Sequence, residues 1–119
     1  MPEPAATLAS VRVDEPADGV VVLHVSGELD TSSADELAKP LKSTLVQGVR
    51  AVVVDLTGVR FLGSAGLEAL VTGSKRATEL GVPLLLVAAG RAVLRPIEAT
   101  GLATVFTIVP TVDEAMAKV

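Results

Sequence analysis

Asp55-Leu56-Thr57-Gly58-Val59-Arg60-Phe61-Leu62-Gly63-Ser64-Ala65-Gly66-Leu67 is the stretch that decides how this chain is read. An apolar run, Ala51-Val52-Val53-Val54-Asp55, leads into it and reads as a strand. The strand is expected to end in a turn that closes at Gly63-Ser64-Ala65-Gly66. A helix from about Ala65 to Leu80 follows. It buries Leu67, Leu70, Val71, Ser74 and Ala77 and turns Glu68, Thr72, Lys75, Arg76 and Glu79 outward. Ser64 therefore falls at the first turn of a helix, on the lip of a sheet. The first amides of a helix have no intrahelical acceptors, and the peptide dipoles favour negative charge there. From spacing alone, Ser64 is either a plain helix cap or a site where charge is added and removed.

Bulk composition narrows the field. The chain has 119 residues, half of them hydrophobic, which suits one domain with a single core. Phe61 and Phe106 are the only aromatics, so Val, Leu, Ile and Ala must build that core, and Phe61 is expected to pack within it. A net charge of −4 argues against nucleic acid and anionic membranes, both of which need a basic footprint. With no cysteine there is no disulfide, thiol nucleophile or cysteine zinc site. No apolar run approaches the ~20 residues of a bilayer span, and Met1 to Ala6 lacks the pattern of a signal peptide. A cytoplasmic protein without membrane insertion, cofactor or bound metal is expected.

Outward from the central stretch, the chain reads as a hairpin followed by alternating helices and strands. Met1 to Ala6 reads as a frayed end and Thr7 to Asp14 as a first strand. Glu15 to Gly19 reads as a turn, and Val20 to Ser26 as a second strand with one partly polar face. Gly27 to Thr31 closes that strand, and Ser33-x-x-Glu36 resembles a capping box. The helix it opens carries Ala34, Leu37, Leu41 and Leu45 and runs to about Gln47, with Pro40 inside it and Gly48 as its stop. Gly81 caps the next helix, and Pro83 to Ala88 is a buried strand. Arg91 to Thr100 is a short helix distorted by Pro96 and ended by Gly101. Thr104 to Val109 is the last strand, and Thr111-x-x-Glu114 caps a terminal helix. The expected fold class is α/β. It is one domain with a mixed, mostly parallel sheet of about four or five strands and about four helices.

Enzyme chemistry finds little support. His24 is the only histidine, without a second imidazole for a metal site or a nucleophile at triad spacing, and it reads as a strand-surface residue. Gly63-x-x-Gly66 is too short for a dinucleotide fingerprint, and no phosphate-loop motif is present.

The run Asp55-Leu56-x-x-Val59-x-Phe61-Leu62-x-Ser64-x-Gly66-Leu67 resembles the signature of the STAS domain, which is shared by anti-sigma factor antagonists and the cytoplasmic ends of sulphate transporters. Gly27-Glu28-Leu29-Asp30 and Thr100-Gly101-Leu102 are similar to two further markers of that family, and the resemblance spans about Val11 to Val119. It implies a phosphorylation site at Ser64. It also implies an anti-sigma factor partner with serine kinase activity and a serine phosphatase that resets the switch. The partner surface it implies comprises Glu28, Asp30, Thr31, Leu62, Gly63, Ser64, Ala65 and Gly66, in a monomer or weak dimer. For Glu28 and Asp30, solvated loop residues are the plainer reading. Gly63 and Ala65 depart from the family, which places an aspartate and a second hydroxyl there. The same departure suits a constitutive STAS accessory subunit, for instance of a transporter complex.

Overall fold

A computed structural model describes residues 9–119; the expected frayed start and the first residues of the expected first strand lie outside them. Five strands form one sheet in the order β1-β2-β3-β4-β5. β1 (Ala9–Ala17) pairs antiparallel with β2 (Val20–Leu29), while β3 (Ala51–Leu62), β4 (Leu84–Val87) and β5 (Thr107–Val109) continue the sheet in parallel. The helices α1 (Asp35–Thr44), α2 (Ser64–Leu80) and α3 (Arg91–Ala99) make the crossovers that parallel strands require, and α4 (Val112–Ala117) ends the chain.

The two faces of the sheet are covered unequally. Leu23, Val25, Val52, Val54 and Leu86 share one core with Leu37 and Leu41 of α1, Leu70 and Ala77 of α2, and Ile97 of α3. The opposite face places Val22, Val53, Leu85, Val87 and Val109 against Ala115 of α4 alone. The strict alternation of β2 divides these sets, Leu23 and Val25 going one way and Val22 the other.

Several boundaries move from their expected places. The hairpin turn is Asp18-Gly19 only: Glu15 to Ala17 stays in β1 behind a bulge, and Gly19 turns the chain at φ 78°. β2 extends through Leu29, three residues past its expected end at Ser26. The capping box at Ser33 is not formed, because that hydroxyl is occupied elsewhere and α1 starts two residues later without a side-chain cap. α1 ends at Thr44, short of Gln47. Its Pro40 has no amide to donate to the carbonyl of Glu36, an exposed residue where water can serve instead. β5 begins at Thr107 rather than Thr104.

The central expectation also changes. There is no turn between Asp55 and Gly63. Instead β3 continues through two bulges, one between Asp55 and Gly58 and one between Val59 and Phe61, pairing Gly58 with Ser26, Val59 with Gly27 and Leu62 with Leu29. In α2 the buried stripe includes Gly66 and Gly73, while Val71 and Ser74 are half-buried. A Cβ at Gly73 would meet Leu41 Cδ2 at 2.5 Å, so this glycine lets α1 and α2 approach closely. Arg76 reinforces the contact by donating from Nε to the Leu45 carbonyl at 2.8 Å. Gly81 in the left-handed conformation and Thr111 accepting from the Glu114 amide cap their helices as expected.

Candidate functional site

β3 delivers Ser64 to the start of α2 with a single residue, Gly63, between strand and helix. The Gly63 amide donates to the Leu29 carbonyl at 2.9 Å, which ties the junction to the end of β2. Gly63 itself is the N-cap, in an extended conformation and without any side-chain cap. Leu67 donates to the Gly63 carbonyl at 3.0 Å as the first intrahelical bond. The amides of Ser64, Ala65 and Gly66 therefore have no intrahelical acceptor. Ser64 is exposed, is the first helical residue rather than the cap, and no acidic residue occupies the first turn. An exposed hydroxyl beside free amides at a positive helix end is a place where added negative charge is well received.

The neighbouring loop is built by Asp30 and Ser33. Asp30 Oδ1 accepts from the amides of Ser32 and Ser33 and from the Ser32 hydroxyl, with the Ser33 hydroxyl 3.1 Å away. The Ser32 hydroxyl lowers the Asp30 pKa against a partial desolvation, aided by the Ser33 hydroxyl and both amides. Ser33, only 2% exposed, donates to the Glu28 carbonyl at 2.6 Å and accepts from the Asp30 amide at 2.9 Å. This arrangement holds the loop from Glu28 to Ala34 in one shape. Its signal in the sequence is the Asp-x-Ser-Ser spacing, which fits an Asx-type turn as well as a capping box.

Of the residues expected at the partner surface, Ser64 and Thr31 are exposed, and Glu28, Asp30, Gly63 and Ala65 are half-buried. Leu62 and Gly66 lie beneath that surface. Leu62 belongs to the core, and a Cβ at Gly66 would meet Leu62 Cδ1 at 2.7 Å and Leu29 Cβ at 2.9 Å. Phe61 reverses its expectation: it is 51% exposed rather than packed in the core. A bulge explains the reversal: Val59 pairs with Gly27 but Phe61 with Glu28, so β3 carries one extra residue there, and Val59 and Leu62 both face inward while Phe61 is turned outward. The Phe61 ring lies close to the Gly63 backbone, where an added Cβ would meet its Cε2 at 3.0 Å. Arg60, unremarked in the sequence, reaches Glu28 at 3.8 Å across the strand pair as an exposed ion pair.

A second polar cluster lies on the other face of the sheet. His24 Nδ1 is 2.8 Å from Asp55 Oδ2 on the adjacent strand, and since an ionised carboxylate only accepts, Nδ1 carries the proton. Asp55 Oδ1 accepts from the Thr57 amide and hydroxyl. Burial pushes the Asp55 carboxyl up. The hydrogen bonds from Thr57, and then the hydrogen bond and charge of His24, outweigh burial and hold it below the usual carboxylate range. Sequence spacing alone could not show this pair, because it depends on the parallel register that sets His24 opposite Asp55. Ser10 and Ser26 share a hydrogen bond at 2.9 Å on the same face. No nucleophile completes a hydrolytic set with His24 among the described contacts. No group of three or more His, Asp or Glu residues could hold a metal among the described residues. No helix there is long and apolar enough to cross a membrane.

A mixed sheet with three crossover helices on one face and a short helix on the other, and a serine free of any cap bond where the central strand enters α2, is the arrangement of a STAS-type domain. The STAS domain model matches residues 12–115, and the chain belongs to the STAS domain family. It is 34% identical over 99 residues to the anti-sigma-F factor antagonist RsfB of Mycobacterium tuberculosis, across 83% of this chain and 80% of that one. The crystal structure of an anti-sigma factor antagonist from Mycobacterium paratuberculosis superposes with a TM-score of 0.86 at 36% identity, covering 97% of each chain. The unphosphorylated form of the anti-sigma factor antagonist SpoIIAA shares the fold, with a TM-score of 0.75 at 16% identity over 92% of this chain and 95% of that one.

Proposed function

We propose that this chain is an anti-sigma factor antagonist that binds an anti-sigma factor around Ser64 and is released when that serine is phosphorylated. The observation that carries this reading is the exposed, uncapped hydroxyl of Ser64 beside three free helix amides. A serine serving as a cap would have its oxygen committed to an amide; this one has it free. The relatives named as antagonists supply the partner class.

In the unmodified state the partner covers Ser64, Thr31 and the exposed Phe61 ring. An aromatic side chain next to a polar site is a common anchor of binding energy, and here it is one of only two aromatics in the chain. The partner carries serine kinase activity and places a phosphate on Ser64. The phosphate is accommodated by the helix amides in the free protein, but its charge of about −1.5 to −2 must be desolvated in a covered interface. A difference of about 1.4 kcal/mol already lowers affinity tenfold, so one phosphate suffices as a release signal. A serine phosphatase restores the binding form. Gly63 and Ala65 leave the serine without the acid and second hydroxyl of the usual motif, so the helix amides alone orient the phosphate.

The test uses the protein as bait in extract of its own cells, beside Ser64→Ala, Ser64→Asp and Phe61→Ala. The expected result is an ATP-binding kinase retained by wild type and Ser64→Ala and lost with Ser64→Asp. Phe61→Ala should weaken its retention about tenfold or more. Incubation of wild type with the retained protein and ATP should add one phosphate, mapped to Ser64. Equal retention of one partner by wild type, Ser64→Ala and Ser64→Asp would overturn the switch.

A further inference from the structure

α1 and α2 both follow strands of the parallel part of the sheet, so they run in the same direction with a groove of about 750 Å³ between them. Its floor is made of small and aliphatic residues, Ala34, Ala38 and Leu41 from α1 and Ala65, Ala69 and Gly73 from α2. The charges along it are ordered. Asp35 and Glu68 stand at the end nearest Ser64, while Lys42, Lys75 and Arg76 stand at the other, with Glu79 the one acid among them. On each helix the acid and the lysine are seven residues apart, Asp35 with Lys42 and Glu68 with Lys75, and all four are exposed. Seven residues are about two turns, so each pair lies on one face. None of the four belongs to a salt bridge among the described residues.

This pattern is self-complementary under a two-fold axis. If a second copy lies across the groove antiparallel, with the axis passing near Ala38 and Thr72, Glu68 of each copy faces Lys75 of the other. The Asp35 ends likewise meet the Lys42 ends. An isologous contact requires this reciprocity, in which residue i meets j and j meets i. The same arrangement sets two parallel helix dipoles against two reversed ones, relieving the unfavourable side-by-side alignment within one copy. We propose that the α1–α2 groove is a homodimer surface and that its occupant is a second copy of this chain in antiparallel register. The proposal rests on the groove and not on Ser64. One end of the groove includes Thr31 and Ala65, however, which the anti-sigma reading places under its partner, so a second copy and that partner compete for this end.

The experiment is sedimentation equilibrium of the full chain over a wide concentration range at low and high salt, with Glu68→Lys, Lys75→Glu and the double variant. Both side chains are exposed, and circular dichroism confirms that each variant keeps its fold. Wild type should dimerise reversibly and more weakly at high salt. Each single reversal should weaken the dimer about tenfold or more, and the double reversal should restore it. A monomer at every concentration in low salt would overturn the proposal. So would a dimer unaffected by the single reversals, or one that the double variant fails to restore.

Discussion

The two faces of the sheet solve the same problem in different ways. On the face covered by α1, α2 and α3, burial is nearly complete, and Leu37, Leu45 and Leu70 are 0% exposed. On the other face α4 covers only the end around Val22, Val53 and Val109, and the rest carries His24, Asp55, Thr57, Ser10 and Ser26. One side is held by apolar area, and the uncovered side by hydrogen bonds that tolerate water. A helix-covered face thus demands exact volume, whereas an open face demands satisfied polar groups.

Substitutions should separate these two economies. Leu70→Ala removes a fully buried side chain from beneath α2. It should cost about 2–5 kcal/mol in urea unfolding, the largest effect expected. Gly73→Ala puts a methyl group against Leu41. The overpacking of about 1–3 kcal/mol should exceed the helix-propensity gain of about 1 kcal/mol. Leu41→Ala should cost less in the Gly73→Ala background than in wild type, because the two side chains contend for one space; simple additivity would show that the helices part freely.

Asp55→Asn tests the open face. It removes the charge that pairs with His24 and accepts from Thr57, and should cost about 1–3 kcal/mol near neutral pH. The folded carboxyl holds its proton more weakly than the unfolded one, whose ordinary value is 3.8. The unfolded chain therefore binds more protons in the acid range. Asp55 contributes fully above that ordinary value and loses its contribution as pH falls through the lower folded value. Wild type should accordingly lose more stability than Asp55→Asn on acidification below about pH 4. His24→Gln should have the smallest effect, about 0.2–1 kcal/mol, in keeping with a partly exposed pair. If it matched Asp55→Asn, the open face would depend on the His24–Asp55 bond rather than on the Thr57 bonds.

Much of this architecture was legible because apolar periodicity reports directly on the covered face. Leu67, Leu70 and Ala77 at helical spacing, and the unbroken run Leu84 to Val87, gave α2 and β4 nearly to the residue. Glycine and threonine punctuation at Gly81 and Thr111 gave the caps. The errors fell where local sequence admits two partners and tertiary pairing decides. Ser33 fits a helix cap but is taken by the Glu28 carbonyl. Asp55 to Leu62 carries turn-forming Thr57 and Gly58, yet β2 pairs with it along its length. A Cβ at Gly58 would sit 3.0 Å from both Ser26 Cβ and the Val25 carbonyl, so the glycine serves strand contact. Phe61 faces outward because of a bulge after Val59 that hydrophobicity does not report. The position of Ser64 at a helix start could be read from the chain; its freedom from any capping bond could not.

The single residue between β3 and α2 has a consequence for how such a protein can diverge. Sites carried on loops are reshaped by insertion and deletion, because a loop can absorb a change of length. Here Ser64 follows a strand paired to its last residue, with the Gly63 amide fixed to Leu29. Beyond the last bulge of β3, adding or deleting one residue between Leu62 and Ser64 would break the Gly63–Leu29 tie or rotate the helix face. The site can therefore be edited letter by letter but not in length, and descendants of this chain would diversify it by exchange at positions such as 61, 63 and 65 alone.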